Sequence, residues 1–159
     1  MPKEYALAES VEAIAKTLLP TYHAELATAR ILYMFVDTGS QENGRPVYGK
    51  VKKVSGPFEF LLEKDFIIEV ALDSWNELDE DHRQALVDHL LERCLGEEDE
   101  KSGGAMKWSV RKPDVQEFAT ILRRHGAWTA QLESMVSVAQ ELDLDERVQE
   151  IANTQVQSE

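Results

Sequence analysis

Chemistry-bearing side chains are sparse in this sequence, and most of them fall between residues 82 and 125. His89 stands at the edge of an apolar stripe with Glu92 one helical turn on, so an imidazole and a carboxylate could share a cation. A histidine so placed is more often a packed, hydrogen-bonded residue. His82 and His125 read as helix-end or surface residues. Cys94 has apolar helical neighbours and only Arg93 as an activator, which is the setting of an inert buried thiol rather than a nucleophile. Glu97, Glu98, Asp99 and Glu100 put four carboxylates in succession, a surface that suits a basic partner. Trp75, Trp108 and Trp128 lie in charged surroundings and read as core or rim anchors rather than stacking platforms. There is no glycine-rich phosphate loop, and no Ser-His-Asp spacing can be read.

The elements that must position these residues follow from periodicity. Leu7, Val11, Ile14, Ala15, Leu18 and Leu19 predict an amphipathic helix from Ala6 to Leu19, stopped by Pro20. Ile31 to Val36 fits a buried strand, and Thr38 to Pro46 a turn. Tyr48 to Val54 reads as an edge strand guarded by lysines, and Phe66 to Leu72 as the strongest strand in the chain. Asp79 or Asp81 caps the next helix, whose stripe of Leu86, Val87, Leu90, Leu91, Cys94 and Leu95 predicts a central helix from His82 to Leu95 with Gly96 as its stop. Residues 97–104 hold no apolar side chain and end in two glycines, so a mobile surface loop is expected. Met106 to Val110 is a strand or hairpin arm. Pro113 and Asp114 open a further helix, with Val115, Phe118, Ala119, Ile121 and Leu122 turned to the core and Gly126 as its stop. The tail repeats the helical pattern at Leu132, Met135, Val136, Ala139 and Leu142, then more weakly at Val148 and Ile151.

With 159 residues, 43% hydrophobic and 30% charged, the chain has the balance of one domain with a sizeable core. Its net charge of -13 repels phosphate backbones and argues against nucleic-acid binding. The excess is local: residues 1–76 carry 8 basic and 11 acidic side chains, 77–100 carry 2 and 10, 101–128 carry 6 and 2, and 129–159 carry 1 and 7. A basic segment therefore lies between two acidic ones, and part of that pattern is expected to pair internally or simply to solvate helix faces. One cysteine, no secretory-type start and no apolar run near the ~20 residues that span a bilayer point to a protein of the reducing cytoplasm without a membrane segment.

Helix, strand, turn, two strands and a central helix is the layout of zincin-type peptidases, in which a helical H-E-x-x-H supplies two zinc-binding histidines and a glutamate base. The stretch Ala85-Leu86-Val87-Asp88-His89-Leu90-Leu91-Glu92-Arg93-Cys94 resembles the motif helix of the phage metallopeptidase family, marked by an A-L-L-D-H-E-L-x-H-like segment. Further matching positions are Lys50-Val51-Lys52-Lys53, Phe60-Leu61, Asp65-Phe66, Trp75, Arg83-Gln84-Ala85-Leu86, Gly96-Glu97-Glu98-Asp99-Glu100, Asp114-Val115-Gln116-Glu117-Phe118 and Arg124-His125-Gly126-Ala127-Trp128. They cover roughly residues 6 to 128, and several spaced matches are more specific than one pentapeptide.

Aligned on His89, the family's general-base position holds Leu90 and its second histidine position holds Arg93. A leucine accepts no proton, and a guanidinium puts a permanent cation where a divalent metal would sit. The resemblance would draw a third ligand from the helix near Pro113, where Asp114 and Glu117 are oxygen donors and His125 is more distant. The expectation is thus an α+β, zincin-like fold: a small antiparallel or mixed sheet packed on a long central helix, with C-terminal helices. Residues 1–128 would form the phage metallopeptidase-type domain and 129–159 an acidic helical extension of it. The expected role is that of a phage-derived, catalytically degenerate protein in the bacterial cytoplasm. It would bind, and inhibit or redirect, a host protein with a basic surface through Glu97, Glu98, Asp99 and Glu100, with no cofactor and no direct contact to nucleic acid or membrane. Two alternatives stand beside it: an acidic nucleic-acid mimic that blocks a host defence or repair enzyme, and an active zinc peptidase rebuilt from His89, Glu92, Asp114 and Glu117.

Overall fold

The computed structural model describes residues 2–157, with the side chains of 148 and 150–157 excepted. It is an α+β protein that divides into two compact units, Met1–Lys112 and Pro113–Glu159.

In the first unit, a four-stranded mixed sheet is built from β1 (Tyr5–Leu7), β2 (Ile31–Val36), β5 (Gly49–Lys53) and β6 (Phe66–Ala71) in the order β1-β2-β6-β5. β2 and β6 run parallel with Ile31 opposite Phe66, and β1 and β5 flank them antiparallel. Phe66, Ile68 and Val70 alternate into the core, as a strand with one buried face requires. β5 is an edge strand, as its lysines suggested. Against the sheet lie α1 (Glu9–Tyr22) and α4 (Glu80–Glu92), which bring Val11, Ala15, Val87, Leu90 and Leu91 into the same cluster. Asp79 caps α4 by accepting from the His82 N–H at 2.9 Å, and its carboxyl is held below the usual range chiefly by that bond.

Several expectations need correction. Ala6 and Leu7 belong to β1, pairing with Phe35 and Met34, so the first helix begins at Glu9. It runs through Pro20 to Tyr22, because a proline in the final turn removes only one N–H and the His23 N–H closes the end on Leu19 O. The turn at 38–46 contains a two-residue hairpin, β3 (Gln41–Glu42) with β4 (Arg45–Pro46), around Asn43 and Gly44, both at positive φ. Pro57–Leu62 forms the short helix α2, and Leu72–Glu77 forms α3, which buries Trp75.

The central helix is shorter than its stripe. It stops at Glu92, and Cys94–Asp99 is a strand, β7, paired antiparallel with β8 (Ala105–Val110). Residues 97–104 are therefore one side and the turn of a hairpin rather than a mobile loop. Gly96 is not a helix stop: it lies opposite Trp108, and a Cβ there would collide with the indole. That indole packs edge-on to Phe66, with centroids 5.8 Å apart, and ties the hairpin to the sheet.

In the second unit, residues 113–118 are not helical; α5 spans Ala119–His125 and Gly126, at positive φ, ends it as expected. Phe118 and Leu122 are exposed instead of core-facing. Thr129 Oγ1 accepts from the Leu132 N–H at the start of α6 (Ala130–Gln157), where Leu132 is buried. The weaker apolar positions Val148 and Ile151 fall on α6, with side chains outside those described. Among the described residues, no helix is long and apolar enough to cross a membrane.

Leu91 is fully enclosed in the core cluster, so Leu91→Ala is expected to cost about 2 to 5 kcal/mol in urea denaturation. An unchanged midpoint would place the stripe in solvent.

Candidate functional site

α4 presents three faces, set by its 3.6-residue repeat. Val87, Leu90 and Leu91 face the core. Leu90 meets the edge strand where Gly49 leaves room: a Cβ on Gly49 would lie 2.8 Å from Leu90 Cδ1. A second face carries Asp88 and Glu92, one turn apart, and both turn toward His23, which follows α1 and is fully buried. His23 Nε2 lies 2.6 Å from Asp88 Oδ1; a carboxylate oxygen accepts, so this ring nitrogen carries the proton. His23 Nδ1 has no hydrogen-bond partner and lies 3.6 Å from Glu92 Oε2. The other oxygen of Glu92 accepts from Arg111 Nη1 at 2.6 Å. His89 is exposed on the remaining face.

Arg93 closes the helix. Its Nε donates to Arg111 O at 3.3 Å, and its own carbonyl accepts from the Arg111 N–H, which extends the β7–β8 ladder by one pair. Cys94 follows at once, and burial pushes its thiol up to about 12, with Arg93 only partly offsetting the shift. A thiol held neutral in this way is a packing group, as its neighbours in the sequence suggested.

Of the sequence-predicted metal donors, His89 and Glu92 belong to the first unit. Glu92 is engaged by Arg111 and faces His23 rather than standing free beside His89. Asp114 and Glu117 belong to the second unit, where Glu117 accepts from the Phe118 N–H at 2.8 Å and from Trp128 Nε1 at 3.2 Å. Among the described residues, no three His, Cys, Asp or Glu side chains are grouped so that they could hold one metal ion. Zinc requires three oriented donors and a supporting shell. One exposed imidazole, a carboxylate spent on an arginine and a guanidinium at the next turn do not fit it.

The acidic run is placed by the hairpin. Glu97, Glu98 and Glu100 are exposed, whereas Asp99 is a turn-former whose carboxylate accepts from the Lys101 N–H and from Ser102 Oγ. Glu97 lies opposite Lys107 in the ladder, so part of its charge has a partner nearby.

His23 was not found from the sequence. Its only trace there is the pair Asp88 and Glu92, two carboxylates one turn apart that need a cation from elsewhere. His23→Ala is expected to lower stability by about 1–3 kcal/mol, toward the low end because both carboxylates keep water. An unchanged urea midpoint would show that the clamp adds nothing. For the α4 face, dialysed protein is expected to hold no stoichiometric zinc and to cleave no peptide. One zinc per chain, lost in His89→Ala, would overturn that.

Comparison with known proteins gives one family: the model described as "Putative phage metallopeptidase" matches residues 3–140. No curated protein and no solved structure matches the chain.

Proposed function

The chain belongs to the phage metallopeptidase family, and on that premise we propose that it acts by binding rather than by hydrolysis. In this reading it works in the cytoplasm of a bacterial host, where it captures a host protein with a basic surface and inhibits or redirects it. One observation carries the loss of hydrolysis. The position where the family motif has its base holds Leu90, which is 1% exposed and closed over Gly49. A carboxylate in that place would be buried against strand backbone, where an ionised group is costly. Arg93, at the second histidine position, is turned into a strand-end contact with Arg111. A rebuilt zinc peptidase would need Glu92, and Glu92 is held by Arg111.

Support for binding comes from the carboxylates that are not tied. Glu98 and Glu100, with Glu97 beside them, project from a hairpin anchored by Trp108 on Phe66, so their charge is presented by a fixed arm. Such a surface steers a basic partner over a Debye length of about 8 Å in physiological salt.

The test is a pull-down from bacterial host lysate with the parent and with Glu97→Gln, Glu98→Gln and Glu100→Gln combined, leaving Asp99 to hold its turn. The partner is expected to be retained by the parent, released as salt rises and lost from the variant. Equal capture by the variant would sink the proposal. Excess oligonucleotide at fixed salt decides on mimicry: displacement of the partner would mean that these carboxylates stand in for phosphates.

A further inference from the structure

Unit two carries a surface that neither the acidic hairpin nor the family motif accounts for. Between the segment at Asp114 and Val115 and the first turns of α6 lies a groove of about 610 Å³, lined by Ala130, Met135 and Val138 among others. Leu132 is buried on α6, but Met135, Val138 and Leu142 are 47%, 49% and 61% exposed. Their spacing of three and four residues puts them on one face, so they form a single stripe that enters the groove at Met135 and leaves it toward Leu142. Val136 and Leu144 are exposed as well, on other faces of the helix, but only this stripe continues into a groove.

Charge selects the occupant. α6 carries Glu133, Glu141, Asp143, Asp145, Glu146 and Glu150 against Arg147 alone. By the helical repeat, Glu141 and Asp145 border one side of the stripe and Glu146 the other, while Asp143, further round, is paired with Arg147 at 3.1 Å. A second copy would set acid against acid in a chain of net charge -13, and an anionic bilayer would be repelled for the same reason. We propose that this groove and stripe dock an amphipathic helix of a partner protein, with its leucine-type face on Met135, Val138 and Leu142 and its lysines or arginines on the acidic rims.

The residues are not those of the site proposed above, and the test distinguishes the two. A fluorescent synthetic peptide of about 18 residues, five helical turns, with leucines on one face and lysines on the other, is titrated against the full chain and followed by anisotropy. Binding of one peptide per chain is expected. It should weaken about tenfold in Met135→Ser with Val138→Ser, a loss of buried apolar contact, and should weaken as salt rises. It should be unchanged in the Glu97, Glu98 and Glu100 glutamine variant. Equal affinity for the double serine variant would show mere charge attraction and overturn the proposal. So would equal affinity for a peptide with glutamate in place of lysine. Amide shift mapping on the parent chain guards against a misfolded variant: shifts are expected at Val115, Ala130, Met135 and Val138, and shifts confined to the β7–β8 hairpin would overturn the proposal. Sedimentation covers the remaining occupant, since a dimer that the serine variant dissociates would make a second copy the partner.

Discussion

Parallel pairing of β2 with β6 is the constraint on which the first unit rests, and Arg30 and Asp65 pin it at one end. Each stands immediately before its strand. The Asp65 N–H donates to Arg30 O at 2.7 Å, and the Arg30 N–H donates to Asp65 Oδ2 at 2.9 Å. The guanidinium closes the fork with Nη2 at 3.1 Å from Oδ1 and Nε at 3.3 Å from Oδ2. Asp65 is nearly buried, so its carboxylate must keep this partner, and that requirement fixes Ile31 opposite Phe66. A slip of one residue would turn Phe66, Ile68 and Val70 away from the core. Everything that reaches α4 depends on that face being apolar.

Two glycines then decide how closely the other elements approach the sheet. At Gly49 the absence of a side chain lets Leu90 come down on the edge strand, where even a methyl would also crowd Glu69 O. At Gly96 it lets the Trp108 ring lie across the hairpin and reach Phe66. Both are packing demands rather than turn demands, because neither residue has a positive φ. Both also explain why α4 and β7 are fixed in their orientation, and with them the placement of Leu90 in the core and of Glu98 in solvent.

How far the sequence discloses this depends on whether the deciding contact is local. β2 and β6 were legible because runs such as Ile31-Leu32-Tyr33 and Phe66-Ile67-Ile68 suit a buried strand, and the Asp79 cap was legible because capping acts within three residues. β7 was not: Leu90, Leu91, Cys94 and Leu95 continue a helical period by coincidence, and only pairing with β8 separates strand from helix. His23 meets Asp88 across 65 residues of sequence, a separation no spacing rule covers. In the second unit, Phe118 and Leu122 have the spacing of core residues yet are exposed, since periodicity records an apolar face and not what covers it.

Beside carboxylates such as Asp79 and Asp99 that accept from nearby backbone N–H groups, two further kinds stand in the first unit. Asp65, Asp88 and Glu92 each meet a cation or an imidazole brought from another element, so they hold the sheet and α4 in place. Glu98 and Glu100 have no such task and stand in solvent. The polar face of α4 is thereby committed to His23 and Arg111, and the exposed carboxylates of Glu98 and Glu100 sit on the hairpin that follows it.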